Sequence, residues 1–164
     1  MKDFDDIFIS NIEFSKNFVS NGQTGFANRG LAIVTCIDSR IAPLAIVGMQ
    51  PGDAKIMRNA GARVTEDVLR TLVLATALLG VDRILVMPHT DCRMASGSEE
   101  EIHQAILEKT GIDSRAIEIR TVKDQISALK LDIQRIKSSP HLPNNISVVG
   151  AIYDVNSGVL NKIE

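Results

Sequence analysis

The sequence predicts an α/β fold: a single domain with a mostly parallel central β-sheet flanked by helices. Short apolar runs rich in β-branched residues alternate with longer helical patterns, as in chained strand–helix–strand units. The central runs are apolar without alternation, as expected of strands covered on both faces. At 164 residues, 45% of them hydrophobic and 23% charged, the chain is long enough for one core and shows no repeat, linker or low-complexity segment. The expected organisation is one domain over residues 1–164, with residues 1–22 as an N-terminal helical arm.

Each element follows from its residues. Residues 4 to 20 set Phe4, Ile7, Phe8, Ile12, Phe14 and Phe18 among acids, Asn and Ser, an imperfect amphipathic helix stopping near Asn21-Gly22. Gly30 introduces Leu31-Ala32-Ile33-Val34-Thr35, a buried parallel strand that delivers Cys36 at its C-terminal end. After Pro43, residues 44 to 49 suit a short helix, Gln50-Pro51-Gly52-Asp53 a turn, and residues 54 to 58 a second strand broken by Asn59-Ala60-Gly61. Thr65 is the expected N-cap of the next helix, with Glu66 and Asp67 in its first turn and Gly80 at its stop. The interior of that helix, residues 68 to 79, is nearly all apolar, so burial on several faces is expected.

Residues 83 to 87 read as a third strand, which delivers His89 and Cys92 just past its end. Ser98 with Glu101 makes a capping-box pattern for a helix reaching about Lys109, on which His103 falls in an exposed pattern. Residues 121 to 139 place Val122, Ile126, Leu129, Ile133 and Ile136 on one stripe of a long helix ended by Pro140 and Pro143. Residues 146 to 152 form the final strand, and Asn156-Ser157-Gly158 turns the chain back toward Val159-Leu160.

Composition excludes several classes. A formal charge of -2 and a pI near 5.9 argue against a nucleic-acid partner. No run approaches the length of a membrane span, and the acidic opening Met1 to Asp6 lacks the pattern of a secretory signal. A cytoplasmic location with reduced thiols is expected, which makes a Cys36–Cys92 disulfide the weaker reading. A thiol redox protein is the weakest alternative, since the two cysteines lie 56 positions apart with no Cys-x-x-Cys.

The two cysteines of the chain sit in clusters of ionisable residues, Cys36-Ile37-Asp38-Ser39-Arg40 and His89-Thr90-Asp91-Cys92. Two thiols and one imidazole are the donor set that Zn²⁺ takes when a fourth position is kept for chemistry. Both clusters fall at strand C-termini, where open α/β sheets gather ligands. The fourth position falls to Asp38 or to water. Asp38 and Arg40 lie two apart and can pair, which keeps the acid ionised and aimed. An acid so held either binds the metal and closes the site or accepts a hydrogen bond from a water there. The plain alternatives are buried cysteines packing as small apolar residues and a surface ion pair of little energy.

The pattern Cys-x-Asp-x-Arg followed by His-x-x-Cys resembles the β-class carbonic anhydrases. Gln50-Pro51-Gly52-Asp53-Ala54, Arg58-Asn59-Ala60-Gly61 and Gly150-Ala151-Ile152-Tyr153-Asp154 are also similar to that family, so the likeness runs over about residues 28 to 160. The resemblance implies one Zn²⁺ per chain on Cys36, His89 and Cys92, with Asp38 a fourth ligand in a closed state. It implies reversible hydration of CO₂ to bicarbonate by zinc-bound hydroxide, with Asp38 and Arg40 as catalytic residues. It further implies a homodimer or dimer of dimers, the N-terminal helix packed on the partner subunit. A hydrolase of CS₂ or COS and a catalytically silent zinc-binding paralogue remain alternatives. One departure stands out: the family commonly has glycine after the second cysteine, where this chain has Arg93 and Met94. Arg93 either points to solvent or lends a cation that traps anions near the metal.

Overall fold

The computed structural model describes residues 4–20 and 22–163. Met1 to Asp3 of the acidic opening and Asn21 of the expected helix stop lie outside the described residues. In chain order the elements are α1 (Asp5–Lys16), β1 (Leu31–Cys36), α2 (Pro43–Ile46), β2 (Ala54–Asn59), α3 (Glu66–Leu78), β3 (Arg83–Met87), α4 (Glu99–Thr110), α5 (Gln125–Lys137), β4 (Ser147–Tyr153) and β5 (Leu160–Ile163). Five strands form one sheet in the order β2-β1-β3-β4-β5, parallel except for the β4–β5 pair. The mostly parallel α/β sheet expected from the sequence is therefore present.

β1 lies between β2 and β3, and all six of its residues are buried. Successive side chains of a strand point to opposite faces. Ala32, Val34, Ile84 and Val86 accordingly join the apolar cluster that includes Val68, Leu72, Leu129 and Ile136 of α3 and α5. Leu31, Ile33, Leu85 and Met87 join the other cluster, with Ile41, Leu44 and Met49 around α2. α5 approaches β4 at Gly150, where a side chain would meet Ile133 and Leu129 at 2.6 and 2.9 Å. Only glycine fits there.

Several elements differ from expectation, each for a local reason. α1 ends at Lys16, so Phe18 lies beyond it, and no residue of the helix is buried. α3 buries only Val68, Leu72 and Ala75, while Leu74 and Leu78 are exposed, because the sheet covers one face alone. Thr65 does cap it, accepting from the Val68 N–H. α5 begins at Gln125 rather than near residue 121. The Asp124 carboxylate caps it by accepting from the Ile126 N–H, and buried Val122 sits in the preceding loop, its N–H donating to the Met94 carbonyl at 2.7 Å. His103, expected to be exposed, is buried on α4 with Nδ1 2.8 Å from Ser114 Oγ. The loop after α4 folds back over it, which helical periodicity does not encode.

Candidate metal centre

β1 and β3 are neighbouring parallel strands, and Thr35 Oγ1 donates to the Met87 carbonyl at 2.7 Å, tying their C-terminal ends together. The residues that follow therefore emerge side by side. Cys36, His89 and Cys92 converge there, all buried, with their donor atoms within 4.8 Å of one another. The two sulfurs are 4.0 Å apart and both cysteines are free. The sequence-predicted trio is thus brought together from two separate segments.

His89 is the most informative member. Its Nδ1 lies 2.8 Å from the Thr90 carbonyl, which can only accept, so Nδ1 carries the proton. Nε2 then presents a lone pair to the cluster, buried and without a hydrogen-bond partner. A buried polar atom left unpaired is costly. A cation between the three donors resolves it, and two thiols with one imidazole are the chemistry Zn²⁺ prefers. The residues fit the metal.

Burial works against a thiolate at Cys92. Burial pushes the Cys92 thiol up to about 11, with nearby Cys36 adding to the effect, while the Met94 and Ala95 N–H groups oppose it. A divalent ion reverses that balance by favouring thiolate. Cys36 Sγ already accepts a hydrogen bond from the Gly61 N–H at 3.4 Å. Gly61 stands at φ +79, and Met94 packs closely against it, so a side chain there would be both strained and crowded.

Asp38 and Arg40 form a two-pronged pair: Nε donates to Oδ1 at 2.9 Å and Nη2 to Oδ2 at 2.8 Å. The Arg40 backbone N–H adds a third bond to Oδ1. The Arg40 guanidinium and N–H hold the Asp38 carboxyl well below the usual carboxylate range. Arg40 is held above its own usual value by Asp38 and Asp91. Asp38 Oδ2 is 3.8 Å from His89 Nε2, so the acid sits beside the cluster while both its oxygens face Arg40.

Three supporting residues carried no role in the sequence reading. Arg58 donates to the carbonyls of Cys36, Ile41 and Asp38, pinning the whole loop after β1. Gln125 Nε2 donates to the His89 carbonyl at 2.7 Å, bracing the second loop from α5. Asp91 accepts from Arg40 Nη1 at 2.8 Å. A charged Arg near the end of β2 is a signal for the first, whereas nothing local marks Gln125. Arg93 lines the cavity, exposed, with Nη1 3.5 Å from Ser96 Oγ. The cavity holds about 680 Å³ and opens onto the cluster, with Ile37, Ala60 and Met94 supplying apolar lining.

Residues 31–160 match the family model described as carbonic anhydrase. Over 160 residues the chain is 31% identical to Beta-carbonic anhydrase 1 of Mycobacterium tuberculosis (strain ATCC 25618 / H37Rv), covering 97% of this chain and 96% of that protein. It is 30% identical over 159 residues to the carbon disulfide hydrolase of Acidianus sp. (strain A1-3), covering 82% of this chain and 78% of that one. Among solved structures, the carbonic anhydrase from Streptococcus mutans superposes with a TM-score of 0.91 at 33% identity, covering 100% of this chain and 99% of that chain.

Proposed function

The chain belongs to the β-carbonic anhydrase family, and from that premise we propose that it hydrates CO₂ reversibly to bicarbonate and a proton. The observation that carries this reading is the orphaned, buried Nε2 of His89 facing two cysteine sulfurs beside a paired acid. Cys36, His89 and Cys92 would hold one Zn²⁺. When bound, zinc supplies the Lewis acidity that makes water a nucleophile near neutral pH.

The other steps belong to the protein. Two thiolates and one imidazole would set the charge around the ion. Asp38, ionised because Arg40 holds it so, accepts a hydrogen bond at Oδ2 from the attacking water and aims its lone pair at the carbon of CO₂. Arg40 keeps that carboxylate turned away from the metal's fourth position. The reaction adds one water to CO₂ and releases one proton, so the balance is closed without a redox partner.

We further propose a homodimer, or a dimer of such dimers, in which α1 packs on the partner. Phe4, Phe8, Phe14 and Phe18 are all more than half exposed, a large apolar surface for one short segment. A cytoplasmic setting suits ligands that must stay reduced. No helix among the described residues is long and apolar enough to cross a membrane. Relatives named carbon disulfide hydrolases keep a second substrate in view. Stopped-flow hydration of CO₂ against pH, with zinc analysis and a parallel CS₂ assay on the same sample, tests the reading. Full zinc without CO₂ turnover, or turnover of CS₂ alone, would overturn it.

A further inference from the structure

Asp91 lies between two residues with assigned roles and has none itself. Its φ is +54, a left-handed backbone that few residues other than glycine adopt, aspartate among them. That conformation turns both of its acceptors onto one cation. The carboxylate Oδ2 takes Arg40 Nη1 at 2.8 Å, and the backbone carbonyl takes Arg40 Nη2 at 3.1 Å. Strained backbone of this kind persists where the surroundings enforce it, most often at functional sites.

The consequence lies in how the guanidinium is shared. Its Nε and Nη2 edge faces Asp38, and its Nη1 and Nη2 edge faces Asp91. The group is planar and rigid, so fixing one edge fixes the other. Asp38 Oδ2 is already 3.8 Å from His89 Nε2, within a small rotation of the space between the three donors. A cation there attracts the carboxylate, and Arg40 opposes that pull. Arg40 is a long side chain, 45% exposed, and with nothing on its outer edge it is free to swing into solvent.

We propose that Asp91 is a positioning residue that clamps Arg40 from outside and so keeps the Asp38 carboxylate off the metal's fourth position. The inference rests on the zinc reading above and adds to it a determinant of the open state. The Asp91 side chain is 74% exposed, so as an ion pair it contributes little to fold stability. Its effect is therefore read at the metal rather than in the melting temperature.

The test places Co²⁺ in the site and compares visible absorption for wild type, Asp91→Ala and Asp91→Asn, each also in an Asp38→Ala background. X-ray absorption of the zinc forms shows whether a carboxylate carbon joins the coordination sphere. Asp91→Ala is expected to shift the cobalt spectrum and add carboxylate scattering. It should also lower kcat for CO₂ hydration near neutral pH about tenfold at full zinc, the order of one lost charge-assisted hydrogen bond, with KM within about twofold. Asp91→Asn, which keeps an oxygen for Nη1, should fall between. In the Asp38→Ala background, Asp91→Ala should leave the cobalt spectrum unchanged. An unchanged spectrum in Asp91→Ala, an equal shift without Asp38, or loss of metal from both Asp91 variants would overturn the proposal. A wild-type protein that binds metal but leaves CO₂ unhydrated would defeat the proposed function instead, and the cobalt spectra would still report on Asp91.

Discussion

The C-terminal end of the sheet and the N-terminal helix are opposites in how they satisfy their side chains. At the sheet end, among the described residues, His89 Nε2 is the one buried side-chain nitrogen or oxygen without a hydrogen-bond partner, while Arg58 and Gln125 hold the carbonyls of the two ligand loops. On α1 nothing is buried, and Ile7, Phe8, Ile9, Ile12 and Phe14 are exposed. The first region gathers its polar groups around three metal-binding donors of one chain. The second has its hydrogen bonds within the helix but leaves its apolar surface uncovered. Metal binding and the proposed subunit assembly therefore rest on different residues.

The sharpest way to break that separation is to remove a ligand. Cys36→Ser should lose zinc and CO₂ hydration together while keeping the subunit assembly of the wild type. Metal analysis, stopped-flow rates and light scattering on one preparation check this, and retention of metal and activity would contradict the assignment. Next in size is Arg58→Ala, which strips three carbonyl partners from the loop after β1. A stability loss of about 2–3 kcal/mol in denaturant titration and a 10- to 100-fold drop in activity are expected.

The converse variant is Phe8→Asp with Phe14→Asp on α1. It should shift the protein toward monomer, measured by sedimentation, and make the melting temperature depend on protein concentration. Zinc content should stay near one per chain. Loss of zinc in this variant would show that the site is not complete within a single chain.

A smaller effect concerns pH. The Cys92 thiol is raised from 9.0 to about 11 by burial, so the apoprotein favours the protonated thiol. A raised value contributes stability that is fully present below pH 9 and is lost as pH rises toward 11. Thermal melts of apoprotein should fall across that window, whereas zinc-loaded protein, its thiols already ionised, should not follow. The smallest expected change is at Arg93. Among the described residues it is a cation lining the cavity with no carboxylate partner, while Arg40 is taken up by Asp38 and Asp91. Arg93→Gly should weaken inhibition of CO₂ hydration by bicarbonate or thiocyanate about threefold at low salt, an effect that shrinks as ionic strength rises.

The sheet was legible because its strands are short, apolar and separated by turns, and because covered parallel strands leave that signature. The juxtaposition of Cys36, His89 and Cys92 was legible because each follows a strand end and the ligand chemistry of the three is distinctive. What escaped the sequence was held by contacts distant along the chain. Val122 has the right spacing for α5 but pairs instead with Met94, and His103 has an exposed period but is roofed by Ser114. Arg58, Gln125 and Asp91 act on backbone carbonyls or on a side chain from another loop, and no periodicity marks such partners. The nearly all-apolar α3 was misleading in the same way, since only the sheet decides which of its faces is covered.

The spacing of the sheet has a wider consequence. Adjacent strands lie roughly 4.7–4.9 Å apart, and the donors that emerge from β1 and β3 lie within 4.8 Å of one another. The pairing of β1 with β3 is the ruler between the two ligand segments, while the loop from His89 to Cys92, braced by Gln125, sets the spacing within the second. New termini opened in the exposed turn around Ser157, with the old ends rejoined, would leave that ruler untouched, whereas a single extra strand inserted between the two would abolish the centre with every ligand still in place.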